Sequence, residues 1–327
     1  MGTYLNPDNS KFQESINSDI YVDKTGLITY TNSVIHTQQK CICVSRPRRF
    51  GKSMAANMLS AYYSRGCDSK ELFQNLEIAE DDQFETYLNQ YDVIFLNVQE
   101  FLSQSKNIDE MISLIRRSVL WDLLGEYPEF RYFDTSNLTR TMQDVYQQTK
   151  CPFVVIIDEW DCVFREYKTD RETQERYLDF LRDLLKDKGY IHLAYMTGIL
   201  PIKKYGTHSA LNMFDEFSMI EPGPLASYVG FTETEVQKLC GRYDMELEEV
   251  KSWYDGYSFD KALSVYSPRS VVSCMRLGKI GNYWNQTETF EALQVYIDMN
   301  FDGLKDDVLS MIAGNQVPVN IGSFTND

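Results

Sequence analysis

Four short stretches of the chain are apolar almost without a break: 40–44, 93–98, 153–157 and 191–196. Runs of this kind, rich in Val and Ile, suit strands of a parallel sheet covered on both faces. The segments between them have a different period. Over 52–63 (KSMAANMLSAYY), Ala55, Met58, Leu59 and Tyr62 fall on one helical face, and Gly66 follows as a stop. Over 173–188, Leu178, Leu181, Leu184 and Leu185 form a stripe among charges, and Gly189 ends it. Alternating strand and helix predicts an α/β fold with a parallel sheet.

Past about residue 224 the pattern changes. Thr232 is placed to cap a helix with Glu235 three residues on, a capping box, and Ser267-Pro268 opens a second helix with proline at its first position. No strong strand run follows. The chain therefore divides into 1–224, an α/β domain with an N-terminal arm, and 225–327, a mainly helical domain.

Composition narrows the class. The 327 residues are 43% hydrophobic, with 22 Tyr and 18 Phe, enough to fill a core and unlike a disordered chain. A net charge of −16 argues against gripping nucleic acid by bulk charge and leaves room only for a local basic groove. Seven cysteines, at 41, 43, 67, 151, 162, 240 and 274, include no C-x-x-C pair and read as reduced thiols. The three histidines lack metal-ligand spacing. The opening MGTYLNPDNS has neither the basic nor the apolar region of a signal peptide, and Asn6 stands where myristoylation needs Ser or Thr. No run approaches membrane-spanning length. The expectation is a soluble, cytoplasmic protein.

The first chemistry-bearing stretch is CVSRPRRFGKSMAAN, 43–57. An apolar strand precedes it and a helix follows, as a phosphate-binding loop requires, because backbone N–H groups and the helix N-terminus must point at the phosphates. Lys52 would reach the β- and γ-phosphates, Ser53 would offer its hydroxyl to Mg2+, and Gly51 would allow close backbone approach. The usual G-x-x-x-x-G-K-[ST] pattern wants glycine at 46, where this chain has Arg46 followed by Pro47. An extended entry accommodates that change, since proline favours extended backbone in its predecessor. The candidate nucleotide-binding set is Arg46, Pro47, Arg48, Arg49, Phe50, Gly51, Lys52, Ser53 and Met54.

The second stretch is FVVIIDEWD, 153–161, an apolar strand ending in Asp158-Glu159. A nucleotide hydrolase needs one carboxylate there for the Mg2+ shell and another to polarise water. Asp158 and Glu159 supply both, which makes Ser53 and Asp158 the metal candidates and Glu159 and Lys52 the catalytic ones. About a hundred residues and one further strand, 93–98, separate the motifs, which suggests the P-loop subclass that inserts a strand between them and carries its own catalytic glutamate. Thr197 ends the next strand. It reads equally as a sensor of the γ-phosphate and as the polar end of a Thr-Gly turn.

RPRRFGKS, YVDKTGLI (21–28), IIDEWD, YMTGIL (195–200), GFTETEV (230–236) and WYDGYSF (253–259) together resemble the bacterial AAA-ATPase-like family, from about residue 12 to the end of the chain. The resemblance implies an ATP-binding P-loop NTPase domain, a three-layer α/β/α sandwich related to the STAND class, followed by a helical lid. Within the family the loop itself reads RPRRFGKS, so the missing glycine is a family trait. ATP over GTP rests on this resemblance. Longer relatives continue into a PD-(D/E)xK nuclease-like domain, which this sequence is expected to lack. Its nearest ExK match, Glu249-Val250-Lys251, reads as helix surface.

The resemblance also suggests that Tyr21, Val22 and Thr25 border the base. Packing of the N-terminal arm explains them equally well. Asp255-Gly256 reads as a turn in an aromatic mini-core between lid helices. Arg48, Arg49, Lys203 and Lys204 are candidates to meet the γ-phosphate, in cis or from a neighbouring subunit, against the commoner fate of solvated charge. The expected function is Mg2+-dependent ATP hydrolysis that moves the lid. The rival is an ATP-bound switch of slow turnover that engages a protein partner or self-associates. Nucleic acid and membrane are not expected partners of this chain alone.

Overall fold

A computed structural model describes residues 2–202, 211–219, 221–254, 257–259 and 263–283, with 310 and 313 as isolated positions. Five parallel strands form the central sheet: β1 Cys41–Ser45, β2 Asp92–Asn97, β3 Phe153–Asp158, β4 Ile191–Gly198 and β5 Asp215–Phe217, in the order β2-β3-β4-β1-β5. The two-residue period of a strand sends alternate side chains to opposite faces. Cys41, Cys43, Val155, Ile157, Ala194 and Met196 pack on one face, against the helices Ile108–Glu126, Leu138–Thr149 and Arg171–Leu185. Ile42, Val44, Val154, Ile156, Leu193 and Tyr195 pack on the other, against Gly26–Val34 and Lys52–Tyr63. Both faces are covered, so the uninterrupted apolar runs are explained and the three-layer α/β/α architecture is present.

All four expected strands form, and β1, β3 and β4 run on to the polar residues Ser45, Asp158 and Gly198. The strand expected between the two motifs in the chain forms as β2. β2 intervenes in sequence, yet it lies at the sheet edge beyond β3. The strand between β1 and β3 in space is β4, which pairs Val44 with Thr197 and Ile157 with Met196. The C-terminal ends of β1, β4 and β3 therefore sit side by side.

The helices expected after residue 224 are present as Glu233–Tyr243, Leu247–Tyr254 and Pro268–Leu277. The capping box forms: the Thr232 hydroxyl accepts the Glu235 N–H at 3.4 Å, and the Glu235 carboxylate accepts the Thr232 N–H at 2.7 Å. A small antiparallel sheet adds to them, β6 Phe231–Thr232, β7 Tyr257–Phe259 and β8 Leu263–Tyr266, in the order β6-β8-β7. Strands of two to four residues leave no apolar run for a sequence to reveal. Lys251, of the ExK match, lies on the helix Leu247–Tyr254 and pairs with Glu233 at 3.0 Å.

The N-terminal arm joins the two regions. Phe12 and Leu27 belong to the core of the large sheet, while Ile20, between them, is buried with Val236, Val250, Val271 and Cys274. Lys24 completes the strap: its ammonium meets the Glu235 carboxylate at 2.6 Å and the Ser227 carbonyl at 2.7 Å. No helix among the described residues is long and apolar enough to cross a membrane. Lys203, Lys204, the Asp255-Gly256 turn and nearly all of the chain beyond 283 lie outside the described residues.

Candidate nucleotide site

The loop between β1 and the helix Lys52–Tyr63 opens on a cleft of about 1590 Å3. Arg48, Arg49, Phe50, Gly51, Lys52, Ser53 and Met54 line one wall. Gly51 caps the helix with φ +91, a conformation that strains any residue with a Cβ, and nothing lies within 4 Å of where that Cβ would sit. Glycine is needed here for its dihedral. Lys52 is buried and donates to the Pro47 carbonyl at 3.0 Å, so the loop folds back over its own lysine. Burial pushes the Lys52 ammonium below its usual range, and Glu159, Asp158 and Asp161 pull against that shift.

Arg46 and Pro47 do not line the cleft. The Arg46 side chain is fully buried and donates to the carbonyls of Ser45 at 3.0 Å and Phe217 at 2.8 Å, while its N–H meets the Gly198 carbonyl at 3.1 Å. It braces β1 against β5 and β4 from beneath the loop. Burial lowers its guanidinium to about 10. Thr25 also lies away from the cleft: it is buried and donates its hydroxyl to Asp23, with the same oxygen accepting the Ile78 N–H. Tyr21 and Val22 do line the cleft, on the strap that reaches the second region.

Across from the loop stand the ends of β3 and β4. Asp158 is buried, and its Oδ1 accepts the Thr197 hydroxyl and, at 3.1 Å, the Glu159 N–H. Thr197 thus reaches the acidic pair by holding Asp158, and the Trp160 N–H bonds its carbonyl at 3.0 Å. Glu159 lines the cleft with φ +56, a left-handed position costly for a non-glycine residue. Burial raises its carboxyl pKa, against the opposing pull of Arg165 and Lys52. The structure therefore brings Lys52, Ser53, Asp158, Glu159 and Thr197 together.

Several residues at the cleft were not anticipated. Arg165 donates to Glu159 at 2.5 Å and lies 3.3 Å from Asp161, which is wholly buried and accepts the N–H groups of Ile199 at 3.1 Å and Leu200 at 2.9 Å. The i, i+4 spacing of Asp161 and Arg165 was the available signal. Pro268, Arg269, Val272 and Arg276, from the helix Pro268–Leu277, form the far wall. A Cβ at Gly230, with φ +111, would come within 3.2 Å of the Phe50 ring, so the GFTETEV segment packs on the phosphate-loop motif.

A family model described as predicted AAA-ATPase matches residues 9–207. An uncharacterized protein in the vnfD 5' region of Azotobacter chroococcum mcd 1 is 22% identical over 280 residues, which cover 82% of this chain and 51% of that protein. The chain thus spans about half the length of this relative. Among solved structures, the Aeropyrum pernix ORC1 protein in complex with DNA overlaps 85% of this chain and 60% of its own at 10% identity, with a TM-score of 0.39. The Aeropyrum pernix ORC2 protein, in ADPNP–ADP complexes, overlaps 83% and 68% at 12% identity, with a TM-score of 0.38. Overlaps this loose carry no argument about the present site.

Proposed function

This chain belongs to the predicted AAA-ATPase family, and we propose that it binds ATP with Mg2+ in the cleft above β1, β4 and β3 and hydrolyses it. One observation carries the reading. A lysine and a serine at a helix N-terminus face two carboxylates at the end of β3, across a cleft lined by cations. The helix N–H groups and Lys52 meet phosphate oxygens, and Lys52 exchanges the Pro47 carbonyl for them. Tyr21 and Val22 border the base.

The donor set fits Mg2+. Among the described residues no group of three or more His, Cys, Asp or Glu forms a metal cage. One hydroxyl and one buried carboxylate suit an ion that keeps its waters and arrives on phosphates. Ser53 would hold it directly and Asp158 mostly through water. The ion supplies charge neutralisation on the β- and γ-phosphates. Glu159 orients the attacking water, with Thr197 fixing Asp158 beside it. The helix Pro268–Leu277 closes the opposite wall, so occupancy sets the angle between the two regions. That shared wall also supports the second reading, a switch in which binding alone does the work and turnover is rare.

Steady-state hydrolysis by wild type and Glu159→Gln, with thermal shift in MgATP for wild type and Lys52→Ala, tests the proposal. Turnover is expected in wild type and should fall by roughly 100- to 1000-fold in Glu159→Gln. MgATP should stabilise wild type and not Lys52→Ala. Stabilisation without turnover selects the switch. No stabilisation of wild type at millimolar MgATP overturns the reading.

A further inference from the structure

We propose that Arg165 is a positioning residue for hydrolysis, fixing the direction of the Glu159 carboxylate through a chain of contacts anchored on Asp161. The inference rests on the hydrolytic reading of the cleft and adds a residue to it. Its basis is geometric. Glu159 follows β3 in a left-handed backbone conformation, beyond the last ladder pair of the strand, so the strand itself does not fix its side chain. The Arg165 guanidinium supplies that restraint, donating to Oε2 through Nη2 at 2.5 Å. Oε1 is left for a water.

Arg165 is itself held from behind. Its Nε lies 3.3 Å from Asp161 Oδ2, and the same oxygen accepts the N–H groups of Ile199 and Leu200, directly after β4. Asp161 is wholly buried and Arg165 only 19% exposed, so neither end of the chain is a solvated surface pair of the kind that contributes little. The path runs from the backbone after Thr197, through Asp161 and Arg165, to Glu159. It ties the ends of β3 and β4 into one unit on the acidic side of the cleft. A carboxylate displaced by an ångström costs orders of magnitude in rate even when every reacting group is present.

Arg165 also lines the cleft, which gives the rival role a clear signature: an arginine that grips phosphate contributes to nucleotide affinity. A positioning arginine contributes to kcat alone. The decisive comparison is wild type, Arg165→Gln and Arg165→Lys, each measured for kcat, KM and equilibrium affinity for a non-hydrolysable ATP analogue with Mg2+. Melting temperature serves as the check on folding.

Arg165→Gln is expected to lose roughly 10- to 100-fold in kcat with analogue affinity within about twofold of wild type. Arg165→Lys should recover part of the loss, because a point charge can reach Oε2 but cannot fork between two carboxylates. A kcat equal to or above wild type in Arg165→Gln overturns the proposal. So does a fall confined to affinity, which would make Arg165 a phosphate ligand. Wild type that binds the analogue but does not turn over ATP overturns the hydrolytic reading together with the role given to Arg165. A wild type that turns over, matched by Arg165→Gln, overturns the positioning role alone.

Discussion

β4 carries a polar cluster at each of its ends, and the two are built on opposite principles. At the C-terminal end, Thr197, Asp158, Glu159, Asp161, Lys52 and Arg165 converge, and charge is kept by pairing it. At the N-terminal end, His192 meets His36 with ring centroids 3.5 Å apart and the rings tilted by 53°, beside Tyr91 and Tyr146. Among the described residues no carboxylate pairs with these rings; burial, His36 and Lys40 depress His192 to about 4. One end uses burial to hold ions of both signs in place, and at the other the half-buried His192 ring resists taking on charge. Even the backbone shows the contrast. Each end has a non-glycine residue with positive φ, Glu159 at +56 and His36 at +65; Glu159 opens on the cleft and His36 does not.

The sharpest way to break this contrast is at Arg46, which belongs to the C-terminal end but not to the cleft. If its work is bracing, Arg46→Ala should unfold the protein more readily, by about 3 kcal/mol, because the Ser45 and Phe217 carbonyls lose a buried charged donor. Denaturant melts measure it. A variant of wild-type stability that fails to bind MgATP would place Arg46 among the ligand contacts instead.

A smaller effect is expected at Gly51. Nothing would touch a Cβ there, so Gly51→Ala pays only for the left-handed dihedral, about 1–2 kcal/mol. If the substitution costs stability, the left-handed dihedral at Gly51 is the loop's ground conformation. A neutral result would mean that the loop relaxes to another conformation at no cost.

How much of this was legible follows from where each signal resides. β1 to β4 were readable because a strand buried on both faces must be apolar throughout, and the Asp158-Glu159 pair was readable because it interrupts such a run at its end. β5 was not: DEF is three residues at a sheet edge, polar on two of them, and it is held in place by the Arg46 brace. The small sheet failed for the same reason of length. Arg46 itself could be found only as a departure from a glycine pattern. That departure suggested a ligand contact, whereas the side chain points into the protein because β1 and β5 offer carbonyls that need a donor. Arg165 was hidden because its meaning lies in a contact with Glu159 across a turn. The strap at 20–24 was hidden because Ile20 and Lys24 serve a core more than two hundred residues away in sequence.

The smallest expected effect probes the other end of β4 and fixes the sign of the comparison. His192 in the folded protein resists protonation down to about 4, whereas the unfolded chain takes up the proton near 6.5. Between those values the unfolded state binds more protons, so stability rises with pH across the window. The contribution is complete above about 6.5 and is lost as pH falls toward 4. Burial also lowers His36, which adds in the same direction. Since both rings keep some contact with solvent, the change is on the order of 1 kcal/mol. Denaturant melts at pH 7 and pH 5 should show it in wild type and less of it in His192→Phe, which keeps the ring packing and removes one proton site. MgATP affinity at pH 7 should be equal in the two proteins, because the substitution lies at the far end of the strand. A His192→Phe variant with undiminished acid sensitivity would move the titration to other groups and dissolve the contrast between the two ends.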